Sequence, residues 1–297
     1  MTTLNGARFL MCRPDHFAVN YRINPWMDPK SWARDARAHT AATREWNRLH
    51  HRLGELGAAV ELVPPVPGLP DLVFTANAAV VLDRQVLLAR FRHPERQREE
   101  VHFDAAFRSL AARDLVDGVR KLPETLMLEG AGDCVWDATR KLFWMGYGPR
   151  SDAGAKAVIE ETFRQQVLAL ELADQRFYHM DTALSALPGG EVMYLPDAFT
   201  AAGTAAIRAR VAPQDRIEIG IADGSQLAAN AVCVGHTLVM SGCSERLRAE
   251  LKERGYEVEA TPLPSFLRSG GSAFCLTLRL DRRSAPAAAA VEQAAVA

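Results

Sequence analysis

The run Glu129-Gly130-Ala131-Gly132-Asp133-Cys134-Val135-Trp136, continued after a polar turn by Leu142-Phe143-Trp144-Met145, carries the repeating unit of this chain. Two short apolar segments rich in β-branched and aromatic residues flank the turn, so they read as a hairpin. Gly146-Tyr147-Gly148-Pro149-Arg150 then leads to a helix predicted from about Ser151 to Ala169, followed by a strand from Arg176 to His179. The order is strand, strand, helix, strand.

The same order recurs outward in both directions. Upstream, Arg8 to Cys12 reads as a strand, Tyr21 to Met27 as an ordered loop, Asp28 to Leu53 as a helix and Val60 to Val63 as a strand. A proline-rich connector, Pro64 to Pro70, precedes a hairpin of Ala79–Leu82 with Gln85–Ala89 and a helix from His93 to Ala112. Downstream come strands at Ala183–Leu187 and Val192–Leu195, a helix from Pro196 to Val211 and a short helix from Asp223 to Ala228. Val232–Val234 pairs with Leu238–Met240, followed by a helix from Ser244 to Arg254, a strand from Val258 to Thr261 and a helical turn from Ser265 to Arg268. The alternating Leu276, Leu278 and Leu280 read as a last strand. Units of roughly 40 to 60 residues recur about five times without an evident sequence repeat, which predicts radial repetition of a small α/β module. A doubly wound dinucleotide fold is the competitor. The hairpins weigh against it, as does the lack of a GxGxxG after the first strand.

Composition narrows the function classes. The chain has 297 residues, 48% hydrophobic and 24% charged, with a net charge of -1. That charge gives no basic footprint for nucleic acid and no attraction to an anionic membrane. The five cysteines form no CxxC pair, which fits a reducing compartment better than a disulfide framework or a zinc site. Phe9-Leu10-Met11-Cys12 is too short for a signal peptide, and no stretch nears the roughly 18 apolar residues of a membrane span. A soluble cytoplasmic protein is expected. Residues 1–284 are expected to form one catalytic domain and the Ala-rich 285–297 a disordered tail.

Four polar signals flank predicted strand ends: Asp71 to Asn77, Glu129 to Asp133, His179-Met180-Asp181, and Cys275 after Gly270-Gly271. Each has a bland reading: a turn, a solvated loop, a structural histidine, a buried thiol. Together they supply a nucleophile, an acid/base and surplus carboxylates. Glu129 and Asp181 suit a planar guanidinium, which carboxylates grip bidentately. Tandem glycines let the backbone approach a ligand closely. Arg96, in the first turn of its helix, calls for an anionic partner against the helix dipole. Asn24, before Pro25, either faces a pocket or serves its own turn.

Phe74-Thr75-Ala76-Asn77, Glu129-Gly130-Ala131-Gly132-Asp133, His179-Met180-Asp181-Thr182 and Gly270-Gly271-Ser272-Ala273-Phe274-Cys275 resemble, in order, the motifs of the guanidine-modifying, or amidinotransferase, superfamily. The resemblance spans about residues 8 to 280. It implies the pentein fold, a five-bladed α/β propeller of ββαβ modules around a central active site, with no metal and no cofactor. The Asn24-Pro25-Trp26-Met27 loop, His93-Pro94-Glu95-Arg96 and Gly148-Pro149-Arg150 are most similar to arginine dihydrolases, which convert arginine to ornithine, ammonia and carbon dioxide. Arginine deiminases typically carry Asp where Asn77 stands, and dimethylarginine dimethylaminohydrolases usually lack the carboxylate found here at Asp181. Ala79 and Ser265 stand where dihydrolases often have Gly and Glu.

The roles implied are Cys275 as nucleophile, His179 as acid and base, Glu129 and Asp181 as guanidinium anchors, and Asn77 as the residue that retains a neutral ureido group. Arg96 and Arg150 would hold the substrate's α-carboxylate, with Asn24 and Asp133 also placed at the substrate. Deimination, methylarginine hydrolysis and amidino transfer are alternatives, as is a non-catalytic ribosome-binding role like that of translation initiation factor six. The partner expected is a small molecule, arginine or a close relative, and a homo-oligomer is left open.

Overall fold

The computed structural model describes residues 6–285; the tail expected at 285–297 lies outside the described residues except for Ala285. The described residues contain five three-stranded sheets, each with the same topology. Three fall along the middle of the chain: β3 (Ala79–Leu82), β4 (Gln85–Leu88) and β5 (Gly118–Lys121); β6 (Cys134–Asp137), β7 (Leu142–Tyr147) and β8 (Gln166–Glu171); β9 (Leu184–Ala186), β10 (Val192–Tyr194) and β11 (Arg216–Glu218). A fourth joins β12 (Val232–Val234), β13 (Thr237–Met240) and β14 (Glu257–Ala260). In each, the second strand is antiparallel to the first and parallel to the third.

The fifth sheet takes its strands from both ends of the described chain. β15 (Leu278–Arg279) pairs antiparallel with β1 (Arg8–Cys12), which pairs parallel with β2 (Ala59–Val63). The register sets Phe9 opposite Arg279 and Leu10 opposite Leu278, which closes the ring. Parallel pairing needs a crossover, and each sheet has a helix between its second and third strands. These are α1 (Ala38–Glu55), α2 (Glu100–Ala112), α3 (Ala155–Phe163), α4 (Ala201–Arg210) and α5 (Glu245–Glu253). This is the five-bladed ββαβ propeller that the motifs imply.

The first strands form the inside of the ring. Val80, Val135, Ser185, Val232 and Leu278 come from all five of them and line two narrow cavities, which share Phe274, Arg279 and Arg282. β3 and β6 are buried along their whole length, whereas β5 and β14 have no fully buried residue. Inner strands therefore read as continuous apolar runs and outer strands do not.

Several predicted boundaries shift. The helix expected over 28–53 is two, Pro29–Arg34 and α1, separated at Asp35. The one expected over 93–112 is Pro94–Gln97 followed by α2. The helix expected from Ser151 to Ala169 stops at Phe163, where Arg164 adopts a left-handed conformation and its N–H bonds Glu160 O. The chain then becomes β8, so the strand of this blade lies at Gln166–Glu171 and the stretch 176–179 is a turn. Val167-Leu168-Ala169-Leu170 has good intrinsic helix formers, but pairing with β7 overrides that preference. The short helix expected at Asp223–Ala228 is Ile221–Gly224. The last strand is only Leu278–Arg279; Cys275 and Leu276 lie in a turn before it.

The buried Thr75 hydroxyl ties the first blade to the closing blade, 2.7 Å from Leu10 O and 3.2 Å from Leu276 O. Thr75→Val keeps the shape and leaves buried carbonyls without that donor. It is expected to lower stability by about 1–3 kcal/mol, measured as a shift of the urea midpoint at unchanged m-value.

Candidate active site

Each inner strand is entered through a short turn, and the chemistry-bearing residues sit in those turns. Asn77 lies in the turn Thr75–Ala78 before β3, Glu129 and Asp133 bracket Gly130–Asp133 before β6, and His179 and Asp181 open Met180–Ala183 before β9. Cys275 lies three residues before β15. Propeller geometry brings these turns together at one end of the axis, and all six side chains are buried.

Glu129 is the hub. Its Oε2 accepts from Arg150 Nη1 at 2.8 Å and lies 2.8 Å from His179 Nε2, and its Oε1 accepts from Arg92 N at 3.2 Å. Burial works against ionising Glu129, but Arg150, the His179 hydrogen bond and Arg96 outweigh it and hold the carboxyl well below its usual range. Burial pulls the His179 imidazole down to about 4, against the opposing pull of Glu129. The histidine is therefore neutral at pH 7. An ionised carboxylate only accepts, so Nε2 carries the proton and Nδ1 presents a lone pair. That Nδ1 is buried with no protein partner among the described residues.

Asp181 Oδ2 accepts from the Cys275 thiol at 3.3 Å, and its Oδ1 is buried without a partner among the described residues. Burial raises Asp181 to about 7. Burial and the adjacent Asp181 push the Cys275 thiol well above its ordinary value. The thiol is thus protonated in the free protein, and a cation brought beside it favours the thiolate. Asn77 Oδ1 accepts from Arg96 Nη1 at 2.8 Å, while its Nδ2 has no partner among the described residues. Asn77 Nδ2, His179 Nδ1 and Asp181 Oδ1 are therefore two acceptors and a donor, buried and unspent. Buried polar groups are normally paired, so such a cluster marks a place where a polar ligand binds.

The remaining predicted residues fall into two groups. Arg96 and Arg150 are each 2% exposed and already partnered. Arg96 forks onto Glu99 at 2.8–3.2 Å, the anionic partner its helix position calls for. Arg150 bonds Glu129 and Ile23 O and lies over the Tyr178 ring at 4.5 Å, with two of its five N–H donors used. Asp133 has no oxygen free for a ligand in this arrangement: Ser151 Oγ donates to Oδ2 at 2.6 Å and Met180 N to Oδ1 at 3.0 Å. It welds the Glu129 turn to the His179 turn. Asn24 serves its own turn, accepting from Trp26 N, and donates to Ser269 O at 2.9 Å.

The glycine pair is not open to a ligand as expected. A Cβ on Gly270, at φ +76, would lie 2.7 Å from Trp26 Cδ1, and one on Gly271 would lie 2.4 Å from Phe74 Cε1. These glycines let the rings of Trp26, Tyr178 and Phe74 press against the cysteine loop. Gly132 does the same at the centre, where a Cβ would meet Asn77 Nδ2 at 2.1 Å and His179 Nδ1 at 3.4 Å.

Sequence reasoning gave no role to Asp71, named only as the start of a polar stretch, and missed Asn230. Asp71 is buried, accepts from Tyr21 Oη at 2.8 Å and has Oδ1 without a partner among the described residues. Asn230, in the fourth blade, contacts Cys275 directly. Its signal was present: Ala229-Asn230-Ala231-Val232 echoes Ala76-Asn77-Ala78-Ala79-Val80, and each asparagine stands two residues before its inner strand.

Five ββαβ blades around a buried cysteine, histidine and carboxylates define a pentein. Comparison with known proteins agrees. A family profile described as N,N dimethylarginine dimethylhydrolase, eukaryotic, matches residues 13–282. The N(G),N(G)-dimethylarginine dimethylaminohydrolase of Mycobacterium tuberculosis is 36% identical over 92% of this chain and 85% of its own. The chain belongs to the dimethylarginine dimethylaminohydrolase family of the pentein superfamily. The bifunctional arginine dihydrolase/ornithine cyclodeaminase ArgZ of Synechocystis sp. is 41% identical over 94% of this chain, which spans 38% of that relative's length. The N-terminal domain of ArgZ, solved covalently bound to a reaction intermediate, superposes with a TM-score of 0.88 at 40% identity, covering 94% of this chain and 100% of that one.

Asp181 also gives a stability signature. Its folded value of about 7 lies above the ordinary 3.8, so between these the unfolded chain releases a proton that the folded one keeps, and burial costs stability as pH rises. Below 3.8 that cost is absent, and above about 7 it is constant. Asp181→Asn removes it. The variant should gain thermal midpoint relative to the parent as pH rises through this window; a difference that does not change with pH would contradict the assignment.

Proposed function

We propose that this chain is a cysteine-dependent hydrolase of the free arginine guanidinium, an arginine dihydrolase that yields ornithine, two ammonia and carbon dioxide from arginine and two waters. The observation that carries the reading is the buried, unspent polar atoms on Asn77, His179 and Asp181, the last of which lies against the Cys275 thiol. A flat cation with N–H donors along its edge satisfies both acceptors, and its charge favours both the thiolate and the ionised Asp181. ArgZ, described as an arginine dihydrolase and solved with a covalent intermediate, supports the same reading.

In the first half-reaction Cys275 Sγ attacks the guanidinium carbon, held near contact distance by Glu129 and Asp181. His179 Nδ1 takes the thiol proton and delivers it to the departing ammonia. Water, deprotonated by the same nitrogen, attacks the thiouronium carbon and expels the cysteine, leaving a ureido group. A second round releases the second ammonia and a carbamate, which decomposes to carbon dioxide and ornithine. Arg96 and Arg150 hold the α-carboxylate with N–H groups beyond those that bond Glu99, Asn77, Asp71 O, Glu129 and Ile23 O, and Asn24 ties its own loop to Ser269 O. Asp71 Oδ1, buried and without a partner among the described residues, accepts from the α-amino group.

The second round depends on Asn77. A third carboxylate at that position binds cationic arginine but rewards a neutral ureido group poorly, whereas an amide offers both a donor and an acceptor. Methylarginine hydrolysis is the second reading, favoured by the family profile and the mycobacterial relative. The Asp181 carboxylate against Cys275 speaks against it, because methylation removes the N–H that the carboxylate would accept from.

The test is separate incubation with arginine, citrulline and dimethylarginine, quantifying ornithine, citrulline and ammonia. Arginine should give ammonia and ornithine in a ratio of about two, as the stoichiometry requires, and Cys275→Ala should release none. Asn77→Asp should shift the product toward citrulline. If that variant still yields only ornithine, the role given to Asn77 is wrong; dimethylamine release from dimethylarginine without arginine turnover selects the second reading.

A further inference from the structure

We propose that Asn230 is the side chain that stabilises the Cys275 thiolate; this rests on the reading of Cys275 as the nucleophile. Asn230 is 0% exposed and belongs to the fourth blade, which contributes none of the residues expected from the motifs. Its amide is fully engaged around the nucleophile. Oδ1 accepts from Cys275 N at 3.1 Å; Nδ2 donates to Cys275 Sγ at 3.1 Å and to Asp181 O at 3.1 Å. Its main-chain carbonyl accepts from Phe274 N at 3.3 Å.

Holding the loop needs only the bonds to main-chain atoms. The bond to sulfur does something further. The thiol donates its own proton to Asp181 Oδ2, so sulfur is the acceptor for Asn230 Nδ2. When the S–H bond breaks and the proton passes to His179 Nδ1, the electron pair stays on Sγ and the bond to Asp181 is lost. The Asn230 N–H then faces an anion in a buried site, and hydrogen bonds to charged acceptors are roughly twice as strong as neutral ones. The gain falls on the reactive state and not on the resting thiol, which is how a donor raises kcat without tightening ground-state binding. The Asp181 carboxylate against this sulfur opposes the anion, so a fixed donor matters more here than in water.

Asn230→Asp tests this with little change of shape. The aspartate keeps an acceptor for Cys275 N and replaces the Nδ2 donor with an oxygen. The pH dependence of Cys275 alkylation by iodoacetamide reads the thiolate directly, with the modified residue assigned by peptide mass; no substrate is involved. The thiolate midpoint should rise by about one unit or more, making alkylation at neutral pH roughly tenfold slower. Arginine turnover should fall about a hundredfold in kcat with KM changed by less than about threefold, since the interaction lost is one made in the reactive state. Asn230→Ser, which removes the amide with a smaller side chain, is read in the same way should Asn230→Asp fail to fold. An unchanged alkylation profile in a folded variant would overturn the proposal and leave Asn230 as a loop latch. A shifted profile in a protein that turns over no arginine would instead retain Asn230 and defeat the dihydrolase reading.

Discussion

The site is organised by one carboxylate oxygen. Glu129 Oε2 lies 2.8 Å from both the Arg150 guanidinium and His179 Nε2, in a region without solvent exposure. Burying an ionised carboxylate is expensive unless its charge is matched and its lone pairs are filled. Arg150 matches the charge, which makes Glu129 a permanent acceptor. That in turn fixes the histidine proton on Nε2 and frees Nδ1 for proton transfer. The Arg150 cation is spent on this duty, yet most of its N–H donors remain, so it can anchor a second anion without abandoning the first.

Around that pair the acids divide by environment. Glu129 is held ionised by its cations, whereas Asp181, with no cation beside it among the described residues, is raised to about 7. Asp133 is likewise raised well above its ordinary value by burial and is fully occupied by Ser151 and the Met180 amide. Three carboxyl groups on neighbouring turns thus serve as a charged acceptor, a group poised near neutrality and a structural brace. Their identity does not distinguish them; what each one touches does.

Much of this was legible because the chemistry lies in local signatures. The turns holding Asn77, Glu129, His179 and Cys275 each combine a polar residue with a following apolar strand, and inner strands such as Ala79–Leu82 are buried enough to read as continuous apolar runs. The outer strands were harder. Gly118-Val119-Arg120-Lys121 pairs on one edge only and ends on two exposed cations, so it carries no apolar alternation. The helix predicted through Ala169 failed because propensity is local and the pairing of β8 with β7 is not. The purpose of Gly270 and Gly271 was invisible for the same reason: the aromatic rings that need the space come from Trp26, Phe74 and Tyr178. Asn230 was hidden in an Ala-Asn-Ala-Val echo that acquires meaning only when blades one and four are seen as equivalent.

The closing sheet has a consequence for biogenesis. β1 leaves the ribosome before the other strands of the ring but cannot complete its sheet until β15, about 270 residues later, is free to pair with it. Cys275 travels with that late strand, three residues ahead of it. A nascent chain interrupted before this point therefore lacks both the thiol and the pairing that shuts the ring. The thiol and the closure of the ring arrive together.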